Sequence, residues 1–124
     1  MNVIVHDEKE LGRALNDNAI EIEIADPKLD GHIAKIKATG AVAWAIAIGA
    51  IGVAVVAILA APATAGTSAA VGVAMAVPAV GILGAGTVTS AIAIAVAAGG
   101  TGALNKLRNY RVEKRDGKTV LVKK

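Results

Sequence analysis

The sequence predicts a mainly α-helical membrane protein, in which a Gly/Ala-rich transmembrane helical hairpin joins a small α+β domain formed by both termini. Residues 40–103 contain no Asp, Glu, Lys, Arg or His, and a bilayer crossing needs about 20 mostly apolar residues. The flanks are charged and show strand and turn patterns. We therefore divide the chain into a soluble β-α-β flank (1–39), a transmembrane region (40–103) and a basic C-terminal β-hairpin flank (104–124).

The N-terminal flank begins with a β-α-β pattern. The apolar run Val3–Val5 predicts a strand. Asp7 and Glu10 then form a capping box, in which each side chain accepts a hydrogen bond from a free backbone N–H at a helix start. In Ala19–Ala25, isoleucines alternate with glutamates, which is typical of a strand with one buried face.

The rest of this flank is ambiguous. Asp26-Pro27 and Asp30-Gly31 are turn signals. His32–Ala38 fits either a second strand or a helical lead-in to the membrane, and its β-branched residues favour the strand.

Two charged features of this flank suggest chemistry but have simpler explanations. Glu21 and Glu23 lie on one strand face, where Lys35 or Lys37 would pair with them across strands on a solvated surface. His6 and His32 are distant in sequence, and without any cysteine nearby they are better explained as surface histidines than as metal ligands.

The transmembrane region contains one strong span and one weaker part. Ala41–Ala61 holds nine strongly apolar residues, which favour insertion by about 3–5 kcal/mol, and Trp44 near its start suits an interfacial anchor. Pro62–Ser68 predicts a loop. The following part is Ala-rich. It forms either one long crossing, kinked or interrupted near Pro78 and Gly84–Gly86, or two crossings with a Gly turn between them.

Charge sets the topology of this region. Basic residues flank both ends of the block, so the positive-inside bias favours two spans with both termini in the cytoplasm. The expected location is the inner membrane of a bacterium. The predicted cytoplasmic-side or headgroup-binding charges are Lys35, Lys37, Lys106, Arg108 and Arg111.

Small residues predict close helix packing and self-association. Glycines let helix backbones approach, so van der Waals contact replaces the hydrophobic drive that lipid cannot supply. The predicted helix-packing positions are Gly49, Gly52, Gly72, Gly81, Gly84 and Gly86. Thr87, Thr89 and Ser90 are candidates to line a wet lumen, although such side chains commonly bond back to their own helix carbonyls.

The C-terminal flank predicts a helix end and a hairpin. Leu104–Arg108 finishes a helix, whose basic residues complement its dipole. Asp116-Gly117 is a strong two-residue turn signal between two alternating runs. Because an isolated hairpin is only marginally stable, we expect it to pair with the N-terminal strands.

The Ala/Gly/Val-rich block with its central break resembles the hydrophobic hairpin of pore-forming colicins, and also resembles conjugative pilins. The resemblance covers the composition of residues 40–103 and no specific motif, so it assigns no functional residue.

The function predicted from these features is an oligomeric pore-forming or membrane-disrupting effector that self-associates through its Gly/Ala-rich helices. The alternatives are a non-conducting membrane scaffold or filament subunit, and an accessory subunit that docks a protein partner through the soluble flanks. The expected partners are the bilayer and further copies of the chain, without nucleic acid. The flanks show no nucleophile–base pairing, phosphate loop or metal spacing, so we expect neither an enzyme nor a cofactor.

Overall fold

The computed structural model describes residues 2–60 and 77–123. Within these ranges the elements, in chain order, are β1 (Asn2–Val5), α1 (Glu8–Asn16), β2 (Glu21–Ile24), α2 (Pro27–Ala38), α3 (Ala41–Ala60), α4 (Val77–Leu83), α5 (Ala85–Ala98), α6 (Gly102–Asn109), β3 (Arg111–Arg115) and β4 (Lys118–Val122).

The strands form one four-stranded mixed sheet in the order β1-β2-β4-β3. β1 and β2 run parallel, as a crossover through α1 requires. β4 pairs antiparallel with both β2 and β3, so that Ile22 lies between Val3 and Leu121. The expected pairing of the two flanks is therefore confirmed: the first and last strands of the chain share a sheet.

Local signals explain where several elements begin and turn. The side chain of Asp7 accepts a hydrogen bond from the backbone N–H of Glu10 at 2.8 Å, which confirms the predicted N-cap of α1. The β3–β4 hairpin turns at Asp116 and Gly117, whose φ angles of 53° and 77° are those that a type I′ turn needs.

His32–Ala38 is helical, so the strand prediction for this segment was wrong. Asp26 caps α2 by accepting a hydrogen bond from the N–H of Lys28, and Pro27 occupies the first helical position. Proline suits that position because its missing N–H would be unpaired there anyway. The Asp-Pro pair is thus a helix start here.

The core forms where α1 packs on α5. Leu11 and Leu15 of α1 are fully buried, as are Ile92 and Ile94 of α5. The two backbones approach closely at Gly12, where an added Cβ would overlap the carbonyl oxygen of Ile94. α1 is amphipathic, so its outer face carries the charges and its inner face covers the apolar α5.

The two-span transmembrane hairpin is contradicted by this architecture, which is an α+β fold with six helices and a mixed sheet in the described residues. There, α3 alone is a helix long and apolar enough to cross a bilayer; a second candidate exists only if α5 and α6, which meet at 109°, count as one broken span. The reason is that α1 covers α5, so protein takes the place predicted for lipid. The predicted Pro62–Ser68 loop and Gly72 lie outside the described residues.

Candidate membrane-binding site

The helix α3 combines unusual length with a complete lack of charge. Its 20 residues make it about 30 Å long, which matches the hydrocarbon thickness of a bilayer. Core helices of water-soluble proteins also pass a test of length and composition, but those are mostly buried. Only 33% of the most apolar part of α3 is buried.

One face of α3 packs against the protein and the other faces outward. Buried residues on the inner face are Trp44, Ala47, Ile51, Ala54, Val55 and Ile58. Large apolar residues on the outer face are Val42 (79% exposed), Ile46 (54%), Val53 (59%), Val56 (66%) and Leu59 (42%). This outward set, which we call the α3 face, runs nearly the whole length of the helix.

A shallow groove lies along one side of α3, where the helix meets the turn between α5 and α6. It has a volume of about 550 Å³ and is lined by residues of α3, including Gly49 and Gly52, and by the turn Gly99–Thr101 between α5 and α6. An added Cβ at Gly49 would meet no atom within 4 Å, and one at Gly52 would meet the methyl group of Thr101 at 3.9 Å. The groove therefore exists because these side chains are missing.

At its N-terminal end α3 is fixed to α6 by Trp44, which is buried. The indole Nε1 donates a hydrogen bond to Oδ1 of Asn105 at 3.0 Å, and the guanidinium carbon of Arg108 lies 4.7 Å from the ring centroid. This geometry is a cation–π contact. Trp44, the predicted interfacial anchor, is thus placed under an arginine inside the protein.

Arg108 and Lys37 cap each other's helices. Arg108 Nη1 donates to the carbonyl oxygens of Ile36 (2.7 Å) and Thr39 (2.9 Å), at the C-terminus of α2. In return, Lys37 Nζ donates to the carbonyl oxygens at the C-terminus of α6, those of Leu107 (3.4 Å), Arg108 (3.0 Å) and Tyr110. Positive charge is favourable at the C-terminus of a helix, as here at the C-termini of α2 and α6. We call this reciprocal arrangement, with Trp44, the helix clasp.

The other predicted headgroup charges also lie against the protein's own groups or beside its turns. Lys35 Nζ donates to the carbonyl oxygen of Leu83, at the end of α4, at 3.2 Å. Arg111 forms an ion pair with Glu113 at 3.0 Å. Lys106 is half-buried beside the turn between α5 and α6.

The predicted helix-packing glycines do not form one seam. Gly49 and Gly52 belong to the groove on α3, while Gly81 has open space around it. Gly84 caps α5 with φ +87°, a conformation that glycine adopts readily. An added Cβ at Gly86 would lie 3.4 Å from Nε2 of His32. Among the glycines that the structure describes, Gly12 is the one at a tight helix contact, and the sequence patterns did not single it out.

Two of the candidate lumen residues, Thr87 and Ser90, are buried within the protein, while Thr89 is exposed. Thr87 and Ser90 are each 3% exposed. Ser90 donates a hydrogen bond to Oε1 of Glu8 on α1 at 2.8 Å, and Thr89 donates to the carbonyl oxygen of Ala85 at 2.9 Å. The Ser90 side chain therefore joins α5 to α1, whereas Thr89 bonds back within α5.

The outer face of the sheet carries a network of ion pairs. Arg115 contacts Glu21 at 3.0 Å and Glu113 at 3.1 Å, and Lys118 lies 3.9 Å from Glu23. Hydrogen bonds from Arg111 and then Arg115 lower the pKa of Glu113. Charges of both signs are interspersed here, as on an ordinary solvated face. The basic partners of Glu21 and Glu23 come from the C-terminal hairpin, not from Lys35 or Lys37 as expected.

Among residues 2–60 and 77–123, no three His, Cys, Asp or Glu side chains gather where they could hold a metal ion. The one buried side-chain polar atom without a hydrogen-bond partner in the same ranges is Nδ1 of His32.

The fold and the site together define an α+β protein with a mixed sheet and one largely exposed apolar helix. Residues 4–124 match the protein family described as Uncharacterised protein PM1101, so the chain belongs to that family. No curated protein and no solved structure matches the chain.

Proposed function

We propose that this protein binds lipid bilayers through the α3 face. The observation that carries the proposal is the exposed aliphatic stripe along a helix without a single charged residue. Contiguous exposed apolar surfaces of this kind mark interaction sites for proteins or membranes.

The exposed side chains supply free energy of the size needed for reversible membrane binding. Five aliphatic side chains are between 42% and 79% exposed, and full burial of each contributes about 1.5–3 kcal/mol. Scaled by exposure, transfer of the α3 face into hydrocarbon is favourable by about 4–9 kcal/mol. The marginal, reversible binding of a single myristoyl chain corresponds to about 5.5 kcal/mol, which lies within this range.

Lipid suits the α3 face better than a second copy of the chain in water. At about 25 cal/mol per Å², the same side chains present roughly 160–360 Å² of apolar surface. A stable protein–protein interface buries about 800 Å² per partner, of which about 450 Å² is apolar. A bilayer sets no such minimum, since it wraps around whatever apolar surface is offered.

Pore formation, membrane disruption and self-assembly into a scaffold or filament stay predictions, as does docking of a protein partner. Each presupposes membrane binding, so the first experiment is sedimentation of the full chain with vesicles of zwitterionic lipid and of zwitterionic plus anionic lipid. The vesicles carry a trapped dye. We expect co-sedimentation with at least one of them, and a protein that stays in the supernatant with both would refute the proposal.

Dye release separates the finer alternatives. Bound protein with released dye supports the effector, while bound protein with retained dye supports a scaffold or an accessory subunit.

A leucine at Gly49 distinguishes lipid from a second copy on the α3 face. The site is open, so Gly49→Leu extends the aliphatic surface, and we expect vesicle binding to tighten by about tenfold, or roughly 1.4 kcal/mol. If α3 instead packs against α3 of another copy, the leucine holds the two helices apart, and association between the copies weakens. Gly31→Leu on α2 is the matched control, because Gly31 is equally open but lies off the α3 face.

A further inference from the structure

The inner face of α3 is attached to the rest of the protein along most of its length. Its buried residues run from Trp44 to Ile58, a distance of about 21 Å along the helix axis. Whatever packs there lies beside α3 and not beyond its end. If α3 crossed a bilayer, those neighbours would lie at the same depth in the bilayer as α3.

The helices α4 and α5, which pack on α3, are uncharged, but charged groups of α6 and α1 lie close to this layer. Arg108 lies directly over the ring of Trp44. α5 contacts both α3 and α1, and Glu8 of α1 is bonded to Ser90 near the middle of α5. Lys9, next to Glu8, is exposed on the outer side of α1. A crossing α3 would draw these groups towards hydrocarbon, where ionised side chains are strongly unfavourable.

We infer that α3 lies flat in one leaflet, with the α3 face down and the sheet and α1 on the water side. This inference rests on the proposed membrane binding. In this orientation the aliphatic stripe reaches about 5–10 Å into the boundary between headgroups and acyl chains. The helix clasp and the charges of α1 stay in the aqueous or headgroup region. The protein then occupies one side of the membrane without spanning it.

Depth measurement on single-cysteine variants tests the orientation, and the natural chain has no cysteine to interfere. Val42→Cys and Val56→Cys sit at opposite ends of the α3 face, about 21 Å apart along the axis. Each is labelled with an environment-sensitive fluorophore and quenched by lipids that carry spin labels at known depths. Ile4→Cys, on the outer face of the sheet and 58% exposed, is the aqueous control.

The possible results distinguish a wrong orientation of α3 from a failure of the proposed membrane binding. A flat helix places both α3 labels at similar shallow depths in the same leaflet, while the Ile4→Cys label stays open to aqueous iodide. A crossing helix places the two labels at opposite interfaces, or one of them near the centre, and this result would overturn the inference while keeping membrane binding. Labels on the α3 face that never leave water would overturn both.

Discussion

Replacing Val53 by glutamate is the most direct test of the α3 face. Val53 is 59% exposed, so Val53→Glu leaves the core intact and we expect the melting temperature to change little. On a membrane it removes about 1–2 kcal/mol of aliphatic burial. It also places a carboxylate at the lipid boundary, at a cost of up to about 3 kcal/mol at the bilayer centre and less near the surface.

The two effects together weaken vesicle binding by about 2–4 kcal/mol, or roughly 30- to 700-fold in the partition coefficient. The assay is titration of the protein with vesicles, followed by sedimentation. Val112→Glu is the matched control, since Val112 is also exposed, at 42%, but belongs to the sheet. The reasoning is refuted if Val53→Glu binds like the natural chain, or if Val112→Glu loses as much affinity.

Four further predictions concern the fold. Gly12→Ala forces a Cβ into the carbonyl oxygen of Ile94, so we expect the free energy of unfolding in urea to fall by about 2 kcal/mol or more. Gly31→Ala, in open space on α2, should raise it by about 0.5–1 kcal/mol. Arg108→Ala removes two charge-assisted hydrogen bonds that cap α2 and a cation–π contact, for an expected loss of about 2–3 kcal/mol in the same assay. Burial raises the pKa of Tyr110, so the folded chain holds the phenol proton more tightly than the unfolded chain. This stability is fully present below about pH 10 and is lost as pH rises through the folded-state pKa.

Circular dichroism during thermal unfolding between pH 8 and pH 11, about the range in which tyrosine titrates, checks the last prediction. Tyr110→Phe lacks this slope but loses the hydrogen bond from the phenol to the carbonyl oxygen of Ala19, at a cost of about 0.5–1.5 kcal/mol below pH 10. An equal slope in both proteins would contradict the assignment. For the helix contact, Gly12→Ala and Gly31→Ala of equal stability would contradict the close approach of α1 to α5.

Local chemistry made the ends of the chain predictable. The capping box at Asp7 and the turn at Asp116-Gly117 each depend on a few adjacent residues whose preferred geometry is strong. Asp26-Pro27 was ambiguous because aspartate followed by proline suits both a turn and a helix start. The choice between them depends on whether the next residues find a surface to pack on, which here is provided by α5 and the sheet.

The environment of the apolar region was less predictable, because a side chain gains similarly from lipid and from a protein core. Ile92 and Ile94 are buried by protein, whereas Val53 and Val56 point outward, yet all four lie in one uncharged stretch. The difference arises from α1, a helix more than 70 residues earlier in the chain, which covers α5. Gly12 was the available sequence signal for this contact, since a glycine inside an amphipathic helix commonly has a packing reason.

The helix clasp contains an intrinsic fluorescent probe of its own packing. Trp44 is the only tryptophan in the chain, so all indole fluorescence originates where α2, α3 and α6 meet. Loosening of that junction, by heat, by a variant or by a bilayer pulling on α3, would expose the ring to water and shift its emission to longer wavelength. An unchanged emission maximum upon vesicle binding would mean that the protein binds the membrane surface with the packing of these three helices preserved.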